Sequence, residues 1–347
     1  MSIENLANSA AVFALPLRNR FRNTDIRYGA LFQGPSGWGE FAPFPEYSDV
    51  VAGRWLAGAL EQAFGTWPTA IRTHVPVNAI IPSVDVAKTR QLVEEAISSG
   101  MTTIKVKVGD SASDVQQSDV ERIAQVRKVL DACGSFGQIR IDANATWSLE
   151  QAIEYLPALD EAAGGLDYVE QPCGTFAELR ALQSEMRTWE RPVRIAVDEG
   201  IRQSETIDVS AIREVADVVI IKSLPLGGVS RSLDIVNQLG LPVIVSGSLD
   251  TSVGLTSGIQ LAACVENLAG ACGLGTGTLF ASDVVAQPRV PHNGSLSIGR
   301  ISPDPHLLEV SRPSTDIVSD WKARIVRAWE ASAHDLVSDD VREAVTR

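Results

Sequence analysis

Three short segments of this chain each end in a carboxylate. IRIDAN places Asp142, DYVEQP places Glu170 and AVDEG places Asp198. The segments on either side of this trio end in lysine: TTIKVKV carries Lys105 and Lys107, and VVIIK carries Lys222. The intervals are regular, with 28 residues from Asp142 to Glu170, 28 from Glu170 to Asp198, 35 from Lys107 to Asp142 and 24 from Asp198 to Lys222. Three carboxylates held close together cannot all stay ionised without a cation. Oxygen-only ligands that leave positions open suit Mg²⁺ or Mn²⁺, and not zinc, which prefers nitrogen and sulfur. Such an ion takes both oxygens of a substrate carboxylate and offsets the second negative charge when the adjacent carbon loses its proton. The lysines would supply the base. Lys105 and Lys107 stand at i and i+2, so they share one strand face. Lys105 and the ion are expected to depress the Lys107 pKa toward neutrality. Lys222 is expected to face Lys107 across the site.

Lysine usage supports proton chemistry. Only six lysines stand against 24 arginines, yet three of the six lie in or at the ends of apolar, β-branched runs. An ammonium there is costly unless paired, and lysine sheds its proton far more readily than arginine. Taken singly, a strand-end Asp reads as a helix cap and a neighbouring Lys as half of a weak ion pair. The joint placement on five consecutive units favours the functional reading. Around these five, Glu199 is expected behind the ion's ligands or as a cap. Asn144 is a candidate for orienting the substrate or a loop. Arg140, two residues before Asp142, is a candidate buried partner for the carboxylates.

The elements that must position these groups follow one theme from about residue 76. Short apolar runs (76–81, 102–108, 137–142, 165–170, 193–199, 216–222, 241–246 and 271–276) alternate with helix-period segments, some closed by glycine. Apolar strands alternating with helices imply a parallel sheet covered on both faces. Eight units predict an α/β fold of the (β/α)8 TIM-barrel type, whose active sites lie at the carboxyl ends of the strands. An open doubly wound sheet is the competing fold, but GLGTGT (273–278) is late and lacks the final glycine of a dinucleotide fingerprint. Residues 1–75 read as antiparallel strands and a helix, residues 76–283 as the barrel, and residues 284–347 as a segment returning to the N-terminal part. The two ends are expected to form an α+β cap, with the last dozen residues frayed.

The 347 residues carry 43 acidic and 30 basic side chains, a net charge of −13. Such a balance is repelled by phosphate backbones and anionic lipid, so no nucleic-acid or membrane role is expected. A small anionic carboxylate remains a suitable substrate where the site brings its own cations. No apolar run approaches the roughly 20 residues of a spanning helix, and the N-terminal segment lacks the pattern of a signal peptide. The four cysteines form no C-x-x-C pair, so they read as reduced, and the cytoplasm is the expected location. The four histidines lie outside the strand ends and no G-x-S-x-G occurs, which disfavours triad hydrolysis. Oligomeric state is left open.

The set KVK (105–107), RIDAN (140–144), VEQP (169–172), VDEG (197–200) and IIKS (220–223), with GWGEFAPFPEY (37–47), resembles the muconate-lactonizing-enzyme subgroup of the enolase superfamily. This superfamily pairs a lysine or histidine base with Mg²⁺. The resemblance implies Asp142, Glu170 and Asp198 as ligands of Mg²⁺ or another divalent ion such as Mn²⁺. It implies Lys107 as the acid/base lysine, Lys105 as its electrostatic tuner and Lys222 as the opposing lysine. Within the subgroup, the short loop at 18–22, SGSLDTSVGL (246–255) and GLGTGTLF (273–280) are similar to those of o-succinylbenzoate synthases. That similarity implies syn-dehydration of a cyclohexadiene carboxylate through an enediolate, in menaquinone biosynthesis. Dipeptide epimerases of the subgroup carry D-x-D at the eighth strand, where this chain has Gly275, Thr276 and Gly277. Backbone N–H groups of Gly275 and Thr276, with Ser246 and Gly247, are therefore expected to bind a distal carboxylate, or else form tight turns. N-succinylamino acid racemase, muconate cycloisomerase and dipeptide epimerase are the alternatives within the subgroup. A Schiff-base aldolase using Lys222 and a non-catalytic barrel are the alternatives outside it.

Overall fold

The computed structural model describes residues 1–21, 24–109, 115–134, 136–204 and 206–346, with the backbone alone at 19–21, 115 and 116. Residues 18–21, expected as a loop, continue the first strand, and Arg22 lies outside the described residues. Strands β1 (Ala11–Phe21), β2 (Thr24–Gly34) and β3 (Gly37–Phe41) form an antiparallel sheet in that order. The helix Asp49–Phe64 packs on β3, its N-terminus capped by Ser48, which accepts from the Val51 N–H. Little of this helix is polar, and Val51 through Leu60 are buried throughout. It is covered on several sides because the C-terminal helix Thr315–Ala328 and the short helix Ser223–Leu226 also pack on it.

β4 (His74–Pro76) pairs with β12 (Ser295–Ser297). Between them run seven parallel strands: β5 (Ala79–Ile81), β6 (Ile104–Lys107), β7 (Ile139–Asp142), β8 (Leu166–Glu170), β9 (Ile195–Val197), β10 (Val218–Ile221) and β11 (Val243–Val245), adjacent in sequence order. The eighth expected run, 271–276, forms no continuous strand. It closes the ring by single bridges, with Cys272 against Val77 and Gly273 against Ser246. Its backbone N–H groups at Cys272 and Gly273 donate to Pro76 O and Val245 O at 2.7 and 2.8 Å. Close approach explains the glycines: a Cβ on Gly273 would stand 2.6 Å from Ser246 Oγ, and one on Gly275 would stand 2.9 Å from Asn78 O. A 3-10 turn, Gly275–Leu279, follows at once.

Helices between the strands bury their apolar faces on the outside of the sheet, together with the outward Val and Ile residues of the strands. Ser148 with Gln151 and Thr175 with Glu178 form capping boxes that start two of them. Inside the ring, Tyr168, Ala196, Ile220 and Ile244 form one apolar layer. Strand side chains alternate with period two, so the next inward positions are Glu170, Asp198, Lys222 and Ser246. The last described residues are not frayed. Helix Asp339–Thr346 buries Val341 and Val345, because their i, i+4 spacing gives a short segment one apolar stripe that docks on the cap. Among the described residues, no helix is long and apolar enough to cross a membrane.

Candidate active site

Strand register sets the site. Lys107 pairs with Asp142, and Asp142 with Glu170, as Cα neighbours across β6, β7 and β8. Asp198 and Lys222 are the residues immediately after β9 and β10. All five charged groups therefore lie at the carboxyl ends of five successive strands. Lys105, Lys107, Asp142 and Lys222 line one cavity with Ser246, Gly247, Ser248, Thr276, Ile80, Phe44 and Leu249. The two lysines expected to oppose each other thus reach the same space from β6 and from the end of β10.

The trio is expected to converge on one cation, and in this structure its oxygens meet several. The Lys105 ammonium stands between Asp142 Oδ2 at 3.0 Å and Glu170 Oε2 at 2.9 Å. Lys107 Nζ donates to Asp142 Oδ2 at 2.5 Å and to Asn144 Oδ1 at 2.7 Å. Lys222 Nζ lies 2.6 Å from Asp198 Oδ2. Arg202 Nε reaches both Asp198 oxygens, at 3.1 and 3.2 Å. Among the described residues, no three acidic, His or Cys side chains are grouped as a ready metal cage.

Asp142 and Glu170 are each 1% exposed, so burial disfavours the ionised form of both. Burial raises the Glu170 pKa, and the Asp142 charge adds to it, reaching about 7 despite Lys105. Burial also opposes ionisation of Asp142, but Lys107 and Lys105 outweigh it and hold the carboxyl well below the usual range. For Lys105, burial disfavours the ammonium, and Glu170 and Asp142 overcome it, so the pKa rises. Lys105 is thus a fixed cation. Glu170 Oε1 is buried with no hydrogen-bond partner, an orphaned acceptor of the kind that a hard cation satisfies.

Several expected residues take other places. Arg140 does not pair with the trio. Its guanidinium is fully buried deeper in the ring, 2.7 Å from Asp167 Oδ2, donating to Ala271 O and lying over Tyr168. Two residues along a strand is one full layer of the interior, which puts its head out of reach of the carboxylates. Asn144 does not line this cavity. Held at φ +48°, it links Lys107 to Glu199 Oε1, to which its Nδ2 donates at 3.1 Å. Glu199 lies behind the trio, between Asn144 and Arg202. Gly275 lines a separate surface cleft, whereas Thr276 lines the cavity that holds the lysines. The N–H of Gly247 already donates to Gly273 O at 3.0 Å, and the Ser246 hydroxyl donates to the same carbonyl at 3.2 Å. The open hydroxyls are instead Thr276 Oγ1 and Ser248 Oγ, both buried without a hydrogen-bond partner.

Other residues were missed by sequence reasoning. Gln171, at φ +40°, accepts from the N–H groups of Asp198 and Gly200 at 3.1 and 3.2 Å, and so sets the position of Asp198. The EQP motif offered a signal for it. Arg202 ties Asp198 to Tyr47 of the cap, and Phe44 walls the cavity from the cap. Nothing in the spacing of these residues signals a contact across more than 150 positions.

A parallel (β/α) ring closed by an N-terminal antiparallel sheet, with carboxylates and lysines at successive strand ends, is the architecture of the enolase class. The model for enolase C-terminal domain-like sequences matches residues 88–303, and that for enolase N-terminal domain-like sequences matches residues 12–63. Among solved structures, the muconate lactonizing enzyme of Pseudomonas putida superposes with a TM-score of 0.69 at 16% identity, covering 88% of this chain and 98% of that one. The L-Ala-D/L-Glu epimerase of Bacillus subtilis gives 0.69 at 18%, covering 85% and 96%. These show the fold. Among curated relatives, the o-succinylbenzoate synthase of Mycobacterium ulcerans is 41% identical over 93% of this chain and 94% of its own length. That of Thermobifida fusca is 41% identical over 92% and 96%. The chain belongs to the o-succinylbenzoate synthase family of the enolase superfamily.

Proposed function

We propose that the chain is an o-succinylbenzoate synthase that requires a divalent ion, Mg²⁺ or Mn²⁺. The reaction is syn-dehydration of 2-succinyl-6-hydroxy-2,4-cyclohexadiene-1-carboxylate to 2-succinylbenzoate, a step of menaquinone biosynthesis. The observation that carries this reading is the frame of Lys105, Lys107 and Lys222 around one cavity whose walls include a buried carboxylate of the trio. Asp142, Glu170 and Asp198 would hold the ion. The fit rests on the partnerless Glu170 Oε1 and on three buried oxygen donors of the type hard cations favour. When bound, the ion supplies positive charge to the substrate carboxylate as the adjacent carbon becomes anionic.

The chain's own residues account for the proton transfers. Lys107 Nζ takes the proton from the carbon bearing the carboxylate. The ring hydroxyl then departs on the same face, protonated by the same Lys107 and released as water. Asn144 and Asp142 aim the Lys107 amine, since both accept from it. Lys105, buried between Asp142 and Glu170, keeps positive charge beneath Lys107 without titrating near neutrality. Lys222, ion-paired with Asp198, offers an ammonium to the anionic ring from the other side.

The test follows the diene absorbance with and without added Mg²⁺, then with EDTA. Turnover that depends on the metal is expected, and its absence in Mg²⁺ would sink the reading. Because Lys107 and Lys222 reach the cavity from different strands, racemisation is the second reading. Solvent-deuterium exchange at the α-carbon of each N-succinylphenylalanine enantiomer distinguishes it.

A further inference from the structure

The segment after β11 forms one wall of the cavity through Ser246, Gly247, Ser248 and Leu249. It supports itself only in part, through the Ser248 N–H donating to Asp250 Oδ2 at 2.9 Å. Leu249 stands at φ +59° although it has a side chain, a conformation that persists only where surrounding contacts hold it. Those contacts come from the cap, more than 200 positions away. Arg27 of β2, 2% exposed, donates through Nε to Leu249 O at 3.0 Å and through Nη2 to Ser248 O at 3.3 Å. The same guanidinium donates to Ala42 O and lies 4.2 Å from the Phe44 ring centroid. Phe44 and Leu249 both line the cavity.

Two further cap residues grip the stretch that follows. The Glu40 carboxylate accepts from the Thr251 N–H at 3.1 Å, the Gly254 N–H at 2.9 Å and the Thr251 hydroxyl. Gln62 Nε2 donates to Val253 O at 2.6 Å. Glu40 and Gln62 seat the start of helix Ser252–Cys264. Arg27 holds the two carbonyls directly beneath the cavity wall and also packs on the Phe44 ring, which Tyr47 and Trp55 meet edge-on from the cap. Its planar fork reaches several oxygens at once, which a lysine cannot reproduce.

We propose that Arg27 is a positioning residue for substrate recognition: through the Ser248 and Leu249 carbonyls and the Phe44 ring, it fixes the walls of the cavity that the segment after β11 and the cap supply. It touches neither the reacting atoms nor the carboxylate trio. Removing it lets the two carbonyls turn toward other partners, and Leu249 relaxes out of its left-handed conformation. The substrate then binds in a looser cavity while the acid/base machinery stays in place. The kinetic part of this inference rests on the dehydratase reading, and the structural part does not.

The test compares Arg27→Met and Arg27→Lys with the unaltered chain. Arg27→Met is expected to raise KM about tenfold or more with kcat within about threefold, and Arg27→Lys to recover part of the KM. Amide hydrogen exchange at 248–251 is expected to accelerate about tenfold in Arg27→Met, with no change in β6, β7 and β8. An unchanged KM, an equal loss in KM and kcat terms, or acceleration spread over the barrel strands would overturn the proposal. If Arg27→Met does not fold, Arg27→Lys decides: faster exchange at 248–251 supports the clamp, and unchanged exchange overturns it. If the unaltered chain shows no dehydration, the dehydratase reading falls and the exchange data still judge the clamp.

Discussion

Lys105→Met removes a cation while keeping most of the side-chain volume. Its ammonium lies within 3.0 Å of Asp142 Oδ2 and 2.9 Å of Glu170 Oε2, both on side chains 1% exposed. Removing one partner of a buried ion pair typically costs about 3–5 kcal/mol, because the remaining charge keeps no compensation. Asp142 keeps Lys107 at 2.5 Å and Glu170, at about 7, takes up a proton easily, so the lower part of that range applies. In EDTA the melting temperature is expected to fall by roughly 5–10 °C. A divalent ion held by Asp142, Glu170 and Asp198 restores positive charge at the same oxygens. At about 100 times its Kd it adds about 2.7 kcal/mol to any chain that binds it only when folded. Mg²⁺ is therefore expected to raise the melting temperature of both chains. Differential scanning calorimetry in EDTA and in Mg²⁺ provides the four values needed. A Lys105→Met chain as stable as the unaltered one in EDTA would refute the ion-pair reasoning. A flat response of the unaltered chain to Mg²⁺ would refute the metal site.

Lys107→Ala is expected to lower kcat by about 10²–10⁴, the usual contribution of a positioned acid/base group, with circular dichroism unchanged; activity within tenfold of normal would exclude the role. Asn144→Ala removes the acceptor 2.7 Å from Lys107 Nζ and the link to Glu199, so kcat is expected to fall about 10- to 100-fold with little change in KM. Steady-state kinetics would show this, and an effect on KM alone would contradict it. Burial first, and then the Asp250 charge, push the Glu40 carboxyl up to about 7 from 4.5. The folded state then holds a proton that the unfolded chain releases, so this group's contribution is full below about pH 4.5 and is lost as pH rises through 7. The lost contribution is about 3 kcal/mol. Glu40→Gln is expected to flatten the stability profile between pH 5 and 8 in urea melts, and an undiminished slope would show that another group causes it.

The residue types and their spacing determined much of this protein. A parallel sheet wrapped by helices follows from apolar runs that recur once per strand-helix unit. The strand ends follow as well, because the last inward position of each run carries a polar residue where the apolar layer stops. Asp142, Glu170, Asp198, Lys107 and Lys222 were legible on that ground alone. Tertiary structure decided which charge meets which. Arg140 and Asp142 share a strand face, yet a two-residue step is one whole interior layer, and Arg140 belongs to Asp167. The eighth run could not be told from a strand by its composition, because its closure depends on glycines that let Ser246 and Asn78 approach. Helix Asp339–Thr346 looked too polar to dock, since burying only Val341 and Val345 needs a partner surface that local sequence does not reveal. The cap's part in the site was equally invisible. Arg27, Glu40 and Tyr47 act on residues about 150 to 220 positions away, and hydrogen bonds over such separations exist only once the chain has closed on itself.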